Sequence, residues 1–391
     1  MLFPKDDSRH QISGCQRAVA DVAGRQPGID LDENRFAFGI AWATALAIYL
    51  NGGLFEGPEL IEGTGITLAL ALLAGPYMFA PAIAHGLTRI LTNEGWKNRG
   101  LKLNFKGHRW TWLLAWLLPA VLVTIGAAFY FAIFPAQFDP SLGTLEAMIG
   151  QNTELGGLSL QSIAIIQIVQ ALTIAVVINS FFTFGEEFGW RAYLQPKLMR
   201  LGFRKAMLWM GLIWGLWHAP IIAMGHNYGL DYWGYPWTGI LAMTWFTLTG
   251  GTVLGWLTLK GRSVWPAVIG HAALNAIAGV AILFILPGSS NNPLLGPLAV
   301  GIIANIPWFI LAAADTSVAG LPCRRDSLPR QIFADLAITP RGRRGIGSSL
   351  RAGALPPALF RRDPKSPIRL RNQIFWRSAT WASEDSPSQS D

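Results

Sequence analysis

The sequence predicts an all-α, polytopic membrane helix bundle, and three observations carry that expectation. Apolar stretches recur along most of the 391 residues, each near the ~20 residues that cross a hydrocarbon core. Charged residues make up only 14% and hydrophobic ones 51%, with a mean hydropathy of +0.35, whereas a soluble chain carries about 25% charge. The basic residues are confined to alternate loops. Cys15 and Cys323 are the two cysteines and sit in polar segments near opposite ends, which excludes a disulfide scaffold, an iron–sulfur cluster and a cysteine-ligated zinc site.

Residues 1–34 form a polar segment of mixed charge, without the basic start, apolar centre and small-residue exit of a cleavable signal peptide. The bundle occupies 35–315, with spans expected near 35–51, 63–87, 110–134, 161–185, 206–224, 239–259, 264–286 and 295–314. That is about eight transmembrane helices, or seven if the short first segment or the last, broken by Pro307, does not cross. Between them the loops alternate. Loop 52–62 has Glu56, Glu59 and Glu62 and no base, while 88–109 has Arg89, Lys97, Arg99, Lys102, Lys106 and Arg109. Loop 135–160 carries Asp139, Glu146 and Glu154 without a base, and 186–205 holds Arg191, Lys197, Arg200, Arg204 and Lys205. Loops 225–238 and 287–294 have no base, and 260–263 has Lys260 and Arg262. The positive-inside rule then puts both termini in the cytoplasm of an integral membrane protein, read as one of a prokaryotic inner membrane. This bias accounts for most of the net charge of +8, so nucleic acid is not an expected partner; membrane lipid is. From 316 the composition turns to Arg, Pro, Ser and Gly, with 13 Lys/Arg against 6 Asp/Glu over 321–391. Such a tail is expected to be disordered, its basic clusters serving as a solvated cytoplasmic end or resting on anionic lipid.

Ionisable groups inside spans are costly and default to a functional reading. Three places hold them: Phe184-Gly185-Glu186-Glu187-Phe188-Gly189-Trp190-Arg191 at the end of the fourth span, Trp214-Gly215-Leu216-Trp217-His218 in the fifth, and His271-Ala272-Ala273-Leu274-Asn275 in the seventh. Glu187 and Arg191 are four apart, with the acid first, the better order for an ion pair on a helix. Glu186 is rotated by about 100° from Glu187 and can face elsewhere. His271 and Asn275 share a face. All three spans meet on the cytoplasmic side, so these groups can converge in one pocket. A carboxylate, two histidines and an amide can activate water and donate to an oxyanion. The same Glu186, His218 and His271 can equally bind a divalent metal such as zinc. The residues leave those two roles open.

Paired glutamates followed by an arginine, then Trp214 ahead of His218, then His271 and Asn275, in that order on successive helices, resemble the CPBP family. This family comprises CAAX-type prenyl endopeptidases and bacteriocin-processing or immunity proteins, also called Abi. The resemblance covers about 180–280 and implies hydrolysis of a peptide bond within the membrane. It implies Glu186 and His218 activating water, His271 and Asn275 stabilising the oxyanion, and a peptide or protein substrate. Glu187 and Arg191 are then the structural support of the first motif. Trp214 departs from the pattern, which more often has Phe. Two rival readings use the same residues: an immunity-type protein that binds a partner without cleaving it, and a proton-coupled transporter, for which an inverted repeat of broken helices would be expected. The absence of HExxH, GxSxG and a phosphate loop argues against a site-2-type zinc protease, a serine hydrolase of the common fold and an ATP-driven pump. His85 reads as interfacial, His226 matches no motif, and Gly211, Gly215, Gly251 and Gly255 read as helix-packing positions.

Overall fold

The computed structural model describes residues 31–96, 100–150 and 157–318. Most of the polar N-terminal segment and nearly all of the basic tail lie outside the described residues. Thirteen α-helices, counted among the described residues, build the chain. In order they are α1 (Leu31–Leu50), α2 (Leu68–Leu72), α3 (Met78–Thr92), α4 (Arg109–Ile133), α5 (Gly143–Ile149), α6 (Leu160–Leu172) and α7 (Ile174–Gly189). There follow α8 (Gln195–Leu198), α9 (Phe203–Trp217), α10 (Ala219–Ile222), α11 (Trp237–Gly261), α12 (Trp265–Ile277) and α13 (Ile306–Val318). A short antiparallel pair, β1 (Glu59–Ile61) and β2 (Ile66–Thr67), precedes α2. The fold is a helical membrane bundle.

Each of the eight expected segments contains helix, but they are not alike. Among the described residues, four runs are long and apolar enough to cross a bilayer: Leu68–Thr92, Arg109–Ile133, Trp237–Gly261 and Trp265–Phe284. A fifth is the pair Leu160–Leu172 and Ile174–Leu201, bent by 41°. The bend falls at Thr173, and the carbonyl of Leu172 that it frees accepts a hydrogen bond from the Trp116 indole at 2.7 Å. A break inside apolar surroundings survives only when such groups find partners. α9 is shorter because Pro220 has no N–H to continue the ladder. His218 N–H bonds back to the Gly215 carbonyl instead, and the chain turns into α10. α13 begins only at Ile306, so the 295–305 half of the last expected span is irregular.

Small residues let the central helices approach. A Cβ on Gly211 would lie 2.5 Å from the Leu248 Cα, and one on Gly215 2.7 Å from the Thr244 Cα, so α9 and α11 touch backbone to backbone. Gly189 does the same for α7, where a Cβ would meet Pro81 of α3 at 2.4 Å. Trp190, Trp214, Trp217 and Trp308 fill the interior between these helices. His85, read from sequence as interfacial, is fully buried: its Nδ1–H donates to the Phe188 carbonyl at 2.7 Å and its Nε2 accepts from Arg89 Nε at 2.6 Å. It ties α3 to the end of α7.

Loop contacts divide the connections into two sets. Lys197 pairs with Glu94 at 2.7 Å, Val264 N–H donates to the Gly100 carbonyl at 2.9 Å, and the Trp265 indole to the Leu101 carbonyl at 3.0 Å. These join the three base-carrying loops. Leu286 N–H donates to the Gln137 carbonyl at 2.8 Å, and Phe55 lies against Gly225. These join the loops without bases.

Candidate active site

The three polar motifs converge on one indole. Trp214 of α9 is buried, and its Nε1–H donates to Glu186 Oε2 at 2.8 Å. Its backbone carbonyl, left without an amide partner by the break at His218, accepts from His218 Nδ1 at 2.7 Å. Since a carbonyl only accepts, Nδ1 carries the proton, and Nε2 of the neutral ring is the bare nitrogen. The Arg191 guanidinium lies over the indole at 4.5 Å, and the His271 ring meets it edge-on at 5.3 Å between centroids. Gly251 of α11 borders that stack, and a Cβ there would make ordinary contact with Arg191 Nη2 at 3.5 Å.

Glu187 lies on the same helix as Glu186 but turns to different partners. Its Oε1 accepts from Arg191 Nη1 at 3.0 Å and from His271 Nδ1 at 2.8 Å. Both members of the Glu187–Arg191 pair have no exposed side-chain surface. The pair forms where the α-helix widens into a π-turn over Trp190–Leu194, a departure common at functional sites. Glu187 Oε2 and Arg191 Nε and Nη2 are buried without hydrogen-bond partners among the described residues.

The site thus assembles Glu186, Glu187, Arg191, His218 and His271. Asn275, one turn beyond His271 on α12, is exposed and makes no hydrogen bond to the other five among the described residues. The second oxygen of Glu186 and the Nε2 atoms of His218 and His271 also carry no hydrogen bond to protein among the described residues. No group of three or more His, Cys, Asp or Glu side chains among the described residues is arranged to hold a metal ion. Glu186 Oε2 and His271 Nδ1 are committed to Trp214 and Glu187. Two site neighbours escape a motif search. Tyr77 donates to the Trp217 carbonyl at 2.7 Å, joined by the Trp42 indole at 3.3 Å. His226 lies within electrostatic reach of His218.

Residues 165–277 match a family described as type II CAAX prenyl endopeptidase, Rce1-like. The matched segment runs from α6 to the end of α12 and contains every residue of the candidate site. A CAAX prenyl protease 2 from Methanococcus maripaludis is 33% identical over 93 residues, which is 23% of this chain and 34% of that protein. The chain therefore matches about a third of the length of this curated relative.

Proposed function

We propose that the chain is an intramembrane endopeptidase that hydrolyses a peptide bond in a membrane-associated protein or peptide, of the prenylated type that the relative's name specifies. One observation carries the reading: Glu186 is anchored by a single oxygen, and its other oxygen carries no hydrogen bond to protein among the described residues. A carboxylate held this way is a general base with one lone-pair set reserved for water. In the proposed reaction a water donates a proton to Glu186 while His218 Nε2 accepts its second hydrogen and orients it. The hydroxide attacks the carbonyl carbon, and the C–O bond forms as the carbonyl π pair moves to oxygen. His271 Nε2–H and the Asn275 amide donate to that oxyanion. Collapse breaks the C–N bond, and Glu186 returns its proton to the leaving amine.

For this role His271 acts as the imidazolium, with protons on both nitrogens and Glu187 as its counter-ion. Asn275 is exposed, as an amide that meets substrate rather than protein would be.

The test uses the purified protein in nanodiscs with an internally quenched farnesylated peptide ending in a CAAX sequence. Wild type should cleave it. Asn275→Ala should still crosslink the peptide but turn over about 10²–10³-fold more slowly, since an oxyanion donor acts mainly in the transition state. Tight binding without cleavage by wild type, unaffected by Asn275→Ala or His271→Ala, would overturn the enzyme reading in favour of a binding protein.

A further inference from the structure

We infer that Trp214 is a positioning residue that sets both proton-handling groups of the site at once, an inference that rests on the endopeptidase reading. The indole N–H fixes Glu186 by Oε2 at 2.8 Å, so the carboxylate cannot rotate and Oε1 is the oxygen presented to water. The carbonyl of the same residue fixes His218 by Nδ1 at 2.7 Å, so Nε2 is the nitrogen left to face the water. Two groups, one from α7 and one at the end of α9, are thus referenced to one residue, through its indole N–H and its backbone carbonyl.

The ring itself is held firmly. Trp214 is 2% exposed, its face is covered by the Arg191 guanidinium at 4.5 Å, and its edge packs on His271 at 5.3 Å. Arg191 in turn is held by Glu187, which also holds His271. Base, water-orienting histidine and oxyanion histidine therefore share one frame, and Trp214 is the member that touches all of them. Near-attack geometry requires reacting atoms within a fraction of an ångström of their place, and a displacement of about 1 Å costs about 10²-fold in rate. Burial also keeps Trp214 away from substrate, so its contribution belongs to turnover and not to capture.

Only the N–H separates this role from ordinary aromatic packing. Phenylalanine keeps the packing in part and leaves the backbone carbonyl, hence the His218 contact, in place, but has nothing to give Glu186. Benzothienylalanine, introduced at position 214 by stop-codon suppression, keeps the whole bicyclic shape and replaces the N–H by sulfur. The experiment measures kcat and KM for wild type, Trp214→Phe and the benzothienylalanine variant, in nanodiscs on the farnesylated quenched peptide, after thermal stability and folded yield are recorded. The expected result is a kcat lower by about 10–10²-fold in both variants, KM within about twofold of wild type, and a melting temperature of the benzothienylalanine variant close to wild type. Wild-type kcat in a folded benzothienylalanine variant would overturn the inference while leaving the endopeptidase reading intact. Loss of folded protein in both variants would make Trp214 a packing residue and overturn it as well. Absence of cleavage by wild type, where Glu186→Gln makes no difference, would remove the endopeptidase reading and this inference with it.

Discussion

Glu186 and Glu187 are neighbours in sequence, equally buried and chemically identical, yet the bundle gives them different work. Glu187 accepts on one oxygen from two partners, Arg191 and His271. Glu186 takes only an indole N–H. The two should therefore fail differently. Glu187→Gln leaves Arg191 and His271 without their counter-ion and should lower stability by about 3–5 kcal/mol, the usual cost of breaking a buried pair, read as a fall in melting temperature and folded yield. Glu186→Gln keeps an acceptor oxygen for Trp214 and should leave stability nearly unchanged while abolishing cleavage. Full activity in Glu186→Gln would remove it as the base. The ion pair is legible in the sequence because spacing of four on a helix is a local rule. The bond from Glu187 to His271, and the use of Trp214 as a donor, span 84 and 28 residues. No local period encodes them, and a motif that asks only for an aromatic at position 214 does not distinguish an indole from a phenyl ring.

Among the elements, α9 has the least freedom. It enters the bundle beside α11 on Gly211 and Gly215, carries Trp214 between them in sequence, and stops at His218. A methyl on Gly215 would collide with the Thr244 backbone and with the Thr247 Oγ1 at 2.8 Å, neither of which is the loose end of a side chain. Gly215→Ala should thus cost about 1–3 kcal/mol and displace Trp214, lowering turnover along with stability. Gly39→Ala on α1 is the contrast: nothing lies within 4 Å of the new methyl, and an exposed helical glycine replaced by alanine gains up to about 1 kcal/mol. Thermal unfolding of the two variants in the same nanodisc preparation reads both signs, and equal melting temperatures would refute the close-packing account. Small residues at intervals of four announced these contacts in the sequence. What the sequence did not reveal was the breaking of spans: α6 and α7 part at Thr173, and α9 ends after 15 residues. Hydropathy averages over such breaks, because the residues around them stay apolar while the hydrogen-bond partners that permit them, Trp116 for Leu172 and Tyr77 for Trp217, come from other helices.

At the scale of the whole molecule, charge and packing are two independent routes to one topology. The alternation of basic loops is a property of composition alone, yet the loops it assigns to a common face are the ones that touch. Lys197 reaches Glu94, and Asn104 donates to the Arg262 carbonyl at 2.6 Å, while on the other side the 135–144 segment meets Ile285 through Thr144 and Phe138. A chain that crossed the membrane in a different order would have to pull these contacts apart. Contacts cannot say which face is which; the positive-inside rule can. By that rule the basic face is expected in the cytoplasm, with the nearer mouth of the site, since Glu186 lies three residues before the end of α7 and His271 six residues after the start of α12, about 9 Å along the helix at 1.5 Å per residue. The test replaces Cys15 and Cys323 by serine and introduces single cysteines at exposed loop positions: Glu56, Ala136 and Asp231 on one face, Lys106 and Arg200 on the other. In intact cells an impermeant maleimide should label the first three and spare the last two until the membrane is opened. The reverse pattern would keep the fold but turn it over, so that substrate approaches from outside. Labelling that divides either group, such as Lys106 reactive and Arg200 protected, would contradict the loop contacts themselves and the bundle order built on them.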